Sequence, residues 1–189
     1  MVLINNMKFY FLFFLLINFY FSQFDKEFPT QKENNYISAY DFNLKILEDD
    51  KDSSLTLSSL RGNVILINFW ATWCGPCIAE IPEFNNLIKK YKTQNFEVLG
   101  ISVNDSEAQL KKFIRKFDID YPILFGSLEQ MNPVIANYGG FNSVPVSYLI
   151  NRQGMIVKGY PGAIIGEYWT SLLENDIIEF LNDSIKIEE

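Results

Sequence analysis

Two thiols stand three positions apart in Trp73-Cys74-Gly75-Pro76-Cys77, and the 189-residue chain holds no other cysteine. It also holds no histidine. That removes histidine general bases, Ser-His-Asp and Cys-His nucleophile systems, and His-ligated zinc, iron or copper. Two cysteines are too few for a four-cysteine zinc or iron–sulfur site within one chain. What remains is thiol chemistry, helped by carboxylates. Two residues between cysteines let both sulfurs meet within one helical turn. A helix N-terminus offers free N–H groups and a positive dipole end, both of which favour thiolate over thiol. Pro76 suits a first turn because its missing N–H would have had no partner there. Cys74, nearer the end, is expected to be exposed, and Cys77, one turn in, to point toward the core. On that asymmetry Cys74 attacks a disulfide and Cys77 resolves the mixed disulfide. Two inert readings stand beside this one. A fixed structural disulfide would close too short a loop to stabilise much. Half a zinc site would need two carboxylates to complete it.

The elements around the pair must hold it in this posture. Val64-Ile-Leu-Ile-Asn-Phe-Trp70 is a nearly continuous apolar run, as in a strand buried on both faces. Pro76 to Tyr91 is helical, with Pro82 predicting a kink or break. Before them, Phe42 to Leu47 alternates like a half-buried strand. The acidic cluster Glu48 to Asp52 forms a turn, and Ser54 to Leu57 returns as a hairpin partner. After the helix, Phe96 to Val103 reads as a second buried strand. Ser106 to Phe117 is an amphipathic helix capped by Ser106, with Leu110, Phe113, Ile114 and Phe117 on one face. Ile123 to Phe125 is a short strand and Asn132 to Tyr138 a short helix. Val146 to Ile150 and Met155 to Tyr160 flank a turn that ends at Gly154, free to take positive φ. Tyr168 to Leu181 is a last amphipathic helix. The order specifies an α/β sandwich: a central mixed sheet flanked by helices, with an N-terminal β-hairpin extension.

Composition agrees. The chain is 48% hydrophobic and 21% charged, which suits a packed core. Its net charge of −7 works against nucleic-acid binding, and none is expected. Phe9 to Phe21 is apolar apart from Asn18, with Lys8 before it and no acidic residue before Asp25. A basic start followed by such a run reads as a secretory signal. As a helix it would span roughly 20 Å, short of a ~30 Å hydrocarbon core. The expected organisation is a signal peptide over 1–22 with an uncleaved anchor as the alternative, a linker over 23–35 and one domain over 36–189. Export to a bacterial periplasm or cell envelope would place the cysteines where disulfides persist.

Phe69-Trp-Ala-Thr-Trp-Cys-Gly-Pro-Cys77, followed by Glu80-Ile-Pro-Glu-Phe84 and later by Ser143-Val-Pro-Val-Ser-Tyr-Leu-Ile150, resembles the thioredoxin superfamily. It looks most like the exported TlpA/ResA-like thiol–disulfide oxidoreductases, from Tyr36 to Leu181. The resemblance implies a thioredoxin-like sandwich and a cis-proline at Pro145, against the active disulfide. A cis bond there would turn the Val144 backbone toward the sulfurs, where it could pair with an extended substrate. Cytosolic thioredoxins carry an aspartate where Asn68 stands, and Asn68 cannot accept a proton. Glu80, one helical turn past Cys77 and matched by a glutamate in the TlpA/ResA-like pattern, is the substitute base. Glu83 reads as surface, Trp70 as core, and Trp73 as a flat shield over the disulfide. Trp73, Gly75, Pro76, Val144 and Pro145 are thus the substrate-contacting set beside the catalytic Cys74, Cys77 and Glu80. Gly75-Pro76 is the dipeptide of reducing thioredoxins, which points to reduction of disulfides in exported proteins. The implied electron supply is an upstream, membrane-bound thiol donor, with no cofactor or metal. Haem-pathway relatives that reduce apocytochrome c commonly carry Glu near the cis-proline, where this chain has Val144 and Val146. Thiol peroxidases share the fold, but Ala71-Thr72-Trp73 precedes Cys74 without their P-x-x-x-T-x-x-C proline. A redox-inactive peptide-binding module is the non-enzymatic alternative.

Overall fold

The computed structural model describes residues 36–47 and 53–183. The chain divides at Asn35/Tyr36 into two units, and all described residues belong to the second. The expected signal, linker and acidic turn lie outside the described residues. Among the described residues, eight strands and four α-helices follow one another: β1 (Ile37–Ser38), β2 (Asn43–Ile46), β3 (Ser54–Thr56), a 3-10 turn at Leu57–Leu60, β4 (Val64–Trp70), α1 (Gly75–Tyr91), β5 (Phe96–Ser102), α2 (Glu107–Ile114), β6 (Ile123–Phe125), α3 (Leu128–Asn137), β7 (Val146–Ile150), β8 (Met155–Pro161) and α4 (Glu167–Asn182). They form one mixed sheet in the order β1-β8-β7-β4-β5-β6-β2-β3.

β4 is central because every one of its residues is buried. It pairs in parallel with β5 and antiparallel with β7. Its alternation divides the core between the two faces of the sheet. Val64 and Leu66 pack with Phe84, Leu87, Ile88 and Tyr91 of α1 and with Leu173, Ile177 and Phe180 of α4. Ile65, Ile67 and Phe69 face the other way, onto Met131, Val134 and Tyr138 in and after α3. Asn68 and Trp70 follow the parity of Leu66 and so face α1. Burying each aliphatic side chain of this strand contributes about 1.5–3 kcal/mol. The expected hairpin is present as β2 and β3, and it joins the sheet through β2 and β6.

Three local expectations need correction. Of the kink or break expected at Pro82, the break is absent: α1 runs through it as one helix of 17 residues. Pro82 lies on the exposed side while Ile81, Phe84, Leu87 and Ile88 bury the opposite one, and that burial outweighs the lost hydrogen bond. α3 starts at Leu128 rather than near Asn132, because Ser127 and Gln130 form a reciprocal capping box ahead of it. α2 closes at Ile114, short of Phe117; the next residues continue as a turn, with the Lys116 and Phe117 amides donating to the Phe113 carbonyl. At the β7–β8 turn Gly154 has φ +78°, a left-handed conformation that glycine adopts freely and side chains with a Cβ only under strain.

Candidate redox site

The site forms where β4 ends and α1 begins. Cys74 is the N-cap of α1 and is joined to Cys77 by a disulfide, with Cα atoms 5.3 Å apart. The Cys77 amide donates to Cys74 Sγ over 3.2 Å. That N–H and the helix dipole would favour a thiolate at Cys74 once the bond is reduced. The Val144–Pro145 peptide is cis, as the resemblance implied. It brings the Val144 carbonyl oxygen to 3.5 Å from Cys74 Sγ. This contact and the apolar cluster of Trp70, Ala71, Ile81, Leu110 and Phe113 correct one expectation: Cys74 is not exposed. It retains 4% of its surface and Cys77 1%, so the order of accessibility survives but both sulfurs are buried.

Trp73 is 63% exposed and its Nε1 donates to Asn104 Oδ1 over 3.0 Å. The ring is therefore pinned beside the disulfide as a surface plate, not packed as core. Trp70 is buried, as expected. The loop carrying Thr72 and Trp73 is held from the far end of β5. Asp105 accepts from Thr72 N over 2.8 Å and from Thr72 Oγ1 over 2.6 Å, and Ser102 Oγ donates to it over 2.8 Å. Neither Asn104 nor Asp105 was singled out from the sequence. An acidic residue just beyond a buried strand was the available signal.

Glu80 is fully buried on the face of α1 turned toward the sheet. Its Oε1 accepts from Asn68 Nδ2 over 2.7 Å and its Oε2 from the Ile164 amide over 3.0 Å. Asn68 Nδ2 also donates to Ser147 Oγ over 3.0 Å, from the β7 position directly across the ladder. Burial pushes the Glu80 carboxyl up to about 7, against the pull of its two donors, which favour the charged form. Glu83 lies half-buried farther along the helix. Ser147 and Asn68 were legible as polar residues in apolar strands. The Ile164 donor was not, because a backbone N–H in a loop leaves no mark on the sequence. That loop also binds the cis-proline turn, through the Gly162 amide and the Pro145 carbonyl at 3.0 Å.

A mixed sheet with a Cys-x-x-Cys disulfide capping the helix after its central strand, and a cis-proline against the sulfurs, defines a thioredoxin-fold thiol–disulfide oxidoreductase. The chain belongs to the AhpC/TSA family, whose model matches residues 37–158. It is 30% identical over 129 residues to the thiol-disulfide oxidoreductase ResA of Bacillus cereus, covering 68% of this chain and 70% of that protein. Among solved structures, it is similar to a Chlorobium tepidum protein described as a thiol:disulfide interchange protein DsbE, with a TM-score of 0.68 and 28% identity over 78% of this chain and 97% of that one. It is also similar to the exposed lipoprotein thioredoxin of Streptococcus pneumoniae, with a TM-score of 0.61 and 25% identity over 74% and 99% of the two chains.

Proposed function

We propose that this oxidoreductase reduces disulfides of exported proteins, with Glu80 as the base for Cys77. The Cys74 thiolate attacks a substrate disulfide. That bond breaks, one substrate sulfur leaves as thiolate and is protonated by water, and a Cys74–substrate mixed disulfide forms. Cys77 then gives its proton to the Glu80 carboxylate and attacks Cys74 Sγ. The second substrate sulfur leaves, so the substrate is reduced by two electrons and the Cys74–Cys77 disulfide is closed. An upstream thiol donor, membrane-bound in this reading, returns two electrons to the pair. The observation that carries the proposal is Glu80 itself, a fully buried carboxyl one turn from Cys77 with its proton affinity near neutrality. An ordinary glutamate, near 4.3, would be too weak a base at pH 7.

Val144 and Trp73 supply the substrate contact: a backbone edge beside the sulfur and a flat exposed ring. Gly75-Pro76 favours the reducing direction. The valines flanking Pro145 favour general disulfide substrates over a dedicated apocytochrome role. Among the described residues no helix is long and apolar enough to cross a membrane. Export rests on the apolar run of residues 9–21.

Insulin reduction tests the activity, with peroxide consumption as the competing readout. Stopped-flow resolution of a Cys74 mixed disulfide tests the base. Glu80→Gln is expected to slow resolution about 10²-fold or more while leaving first attack by Cys74 much less affected. An unchanged resolution rate and pH profile would remove Glu80 from the mechanism. Peroxide turnover without insulin turnover would replace the reductase with a peroxidase.

A further inference from the structure

Four of the 16 basic residues in this acidic chain stand close together in sequence: Lys111, Lys112, Arg115 and Lys116. They alternate with the apolar residues Leu110, Phe113 and Phe117 along α2 and the turn after it. Leu110 and Phe113 are buried in the apolar cluster that also holds Cys74 and Cys77. Phe117 packs against that cluster, stacked on Phe113 with ring centroids 4.3 Å apart. Lys112 and Lys116 are one helical turn apart, as Phe113 and Phe117 are, so two cations ride beside two stacked rings. With Thr72 and Ile78 these four side chains line an open groove of about 260 Å³. Thr72 lies two residues before Cys74, a reach of at most ~7 Å, and Ile78 directly follows Cys77. The groove therefore borders the disulfide.

The carboxylates near this segment leave its outer cations unmatched. Glu107 pairs with Lys111 over 2.9 Å. Asp105 is buried and takes its donors from Thr72 and Ser102. Asp118 lines a neighbouring groove with Ile119 and Pro122. Among the described residues Lys112, Arg115 and Lys116 are exposed and none forms an ion pair. The dipole of α2 favours cations in its last turn, but it asks for no open apolar floor beside them. Like charges four positions apart weaken a helix rather than support it. The result is a positive rim beside the reacting sulfurs of a chain whose net charge is −7.

We propose that this groove selects the substrate segment: Ile78, Phe113 and Phe117 take an apolar side chain next to the target cysteine, and Lys112 and Lys116 hold acidic residues beside it. The inference rests on the reading of the Cys74–Cys77 pair as a reductant of protein disulfides, and it names the kind of disulfide preferred. Trp73 and the Val144 backbone edge serve any substrate segment. The groove adds a preference among side chains, for an apolar and acidic stretch of protein.

The probes are synthetic peptides, each a homodimer joined by one disulfide, with Leu-Glu-Glu, Leu-Lys-Lys or Ser-Glu-Glu beside the cysteine. The reduced protein, freed of reductant, is mixed with each, and the released peptide thiol is followed by chromatography. Each rate constant is divided by that for dithiothreitol, a neutral thiol, to remove the peptide's intrinsic reactivity. Two exposed charge contacts of ordinary surface strength combine to about tenfold, so the Leu-Glu-Glu peptide is expected to react about tenfold faster than Leu-Lys-Lys at low salt. The ratio should fall toward one in about 0.5 M sodium chloride. The Ser-Glu-Glu peptide should react several-fold more slowly than Leu-Glu-Glu, having lost its apolar contact. Lys112→Glu combined with Lys116→Glu should invert the charge preference; the ratio is taken within one protein, so a general change in activity cancels. A wild-type ratio near one, equal rates for the Leu and Ser peptides, an acidic preference untouched by salt, or one retained in the double variant would overturn the inference. So would self-association that the double variant loses, which would give the groove to a second copy of the chain, or reduction of insulin but of none of the peptides. The wild-type rates decide the question if the double variant does not fold. Failure to reduce insulin and every peptide would instead overturn the reading beneath it.

Discussion

Burying Glu80 has a thermodynamic consequence that can be measured without any substrate. The carboxyl's proton affinity rises from 4.5 to about 7 on folding. Between those values the folded chain holds a proton that the unfolded chain has released. Stability therefore falls as pH rises through this window, opposite to the usual carboxylate. The contribution is fully present below pH 4.5 and lost above pH 7. At 1.36 kcal/mol per pH unit of displaced affinity, the loss is about 3 kcal/mol. The perturbation is Glu80→Gln, which cannot titrate. The assay is urea unfolding of both proteins from pH 4 to pH 8 with the disulfide intact, so that the cysteines do not contribute. The wild-type free energy minus that of the variant should decline by about 3 kcal/mol between pH 4.5 and 7 and then level off. Taking the difference cancels other carboxylates. Glu174, for example, is held low by Lys90 and Tyr91, so its contribution is lost only as pH falls below the window. A constant offset, independent of pH, would refute the idea that Glu80 is buried with its proton.

The other expectations concern the sulfurs, the loop and the N-terminus. Cys74→Ser should abolish turnover, and Cys77→Ser should accumulate mixed disulfides on Cys74, read by mass spectrometry; adducts on Cys77 in the reciprocal variant would reverse the roles. Asp105→Ala strips acceptors from Thr72 N, Thr72 Oγ1 and Ser102 Oγ, and should cost about 1–3 kcal/mol in urea unfolding. It should also lower insulin turnover, since the loop ahead of Cys74 loses its tether. Protein recovered from its native envelope should begin near Gln23 by N-terminal sequencing; a full-length chain that resists a carbonate wash would indicate an anchor.

The sequence by itself determined the chemistry and the frame that carries it. Two cysteines two residues apart, with no histidine, leave little beyond thiol exchange. The nearly continuous apolar run from Val64 to Trp70 marks a strand buried on both faces, and Pro76 at a helix start orders the sulfurs along the axis. These are local properties, set by residue type and spacing within one or two elements. The Ser127–Gln130 cap was equally local and equally readable, which is why the true start of α3 was within reach. Pro82 was not, because its cost depends on how much apolar surface the helix buries on its other side. Tertiary structure alone decided the electrostatics of the site. Glu80 could equally have been a solvated helix residue; burial against Asn68 and the Ile164 amide, 84 positions away, raises its carboxyl to about 7. Cys74 is covered because a peptide 70 positions later turns its carbonyl onto the sulfur. Desolvation is a property of the whole packed assembly, so the sequence could nominate these groups but only the fold could set their charge.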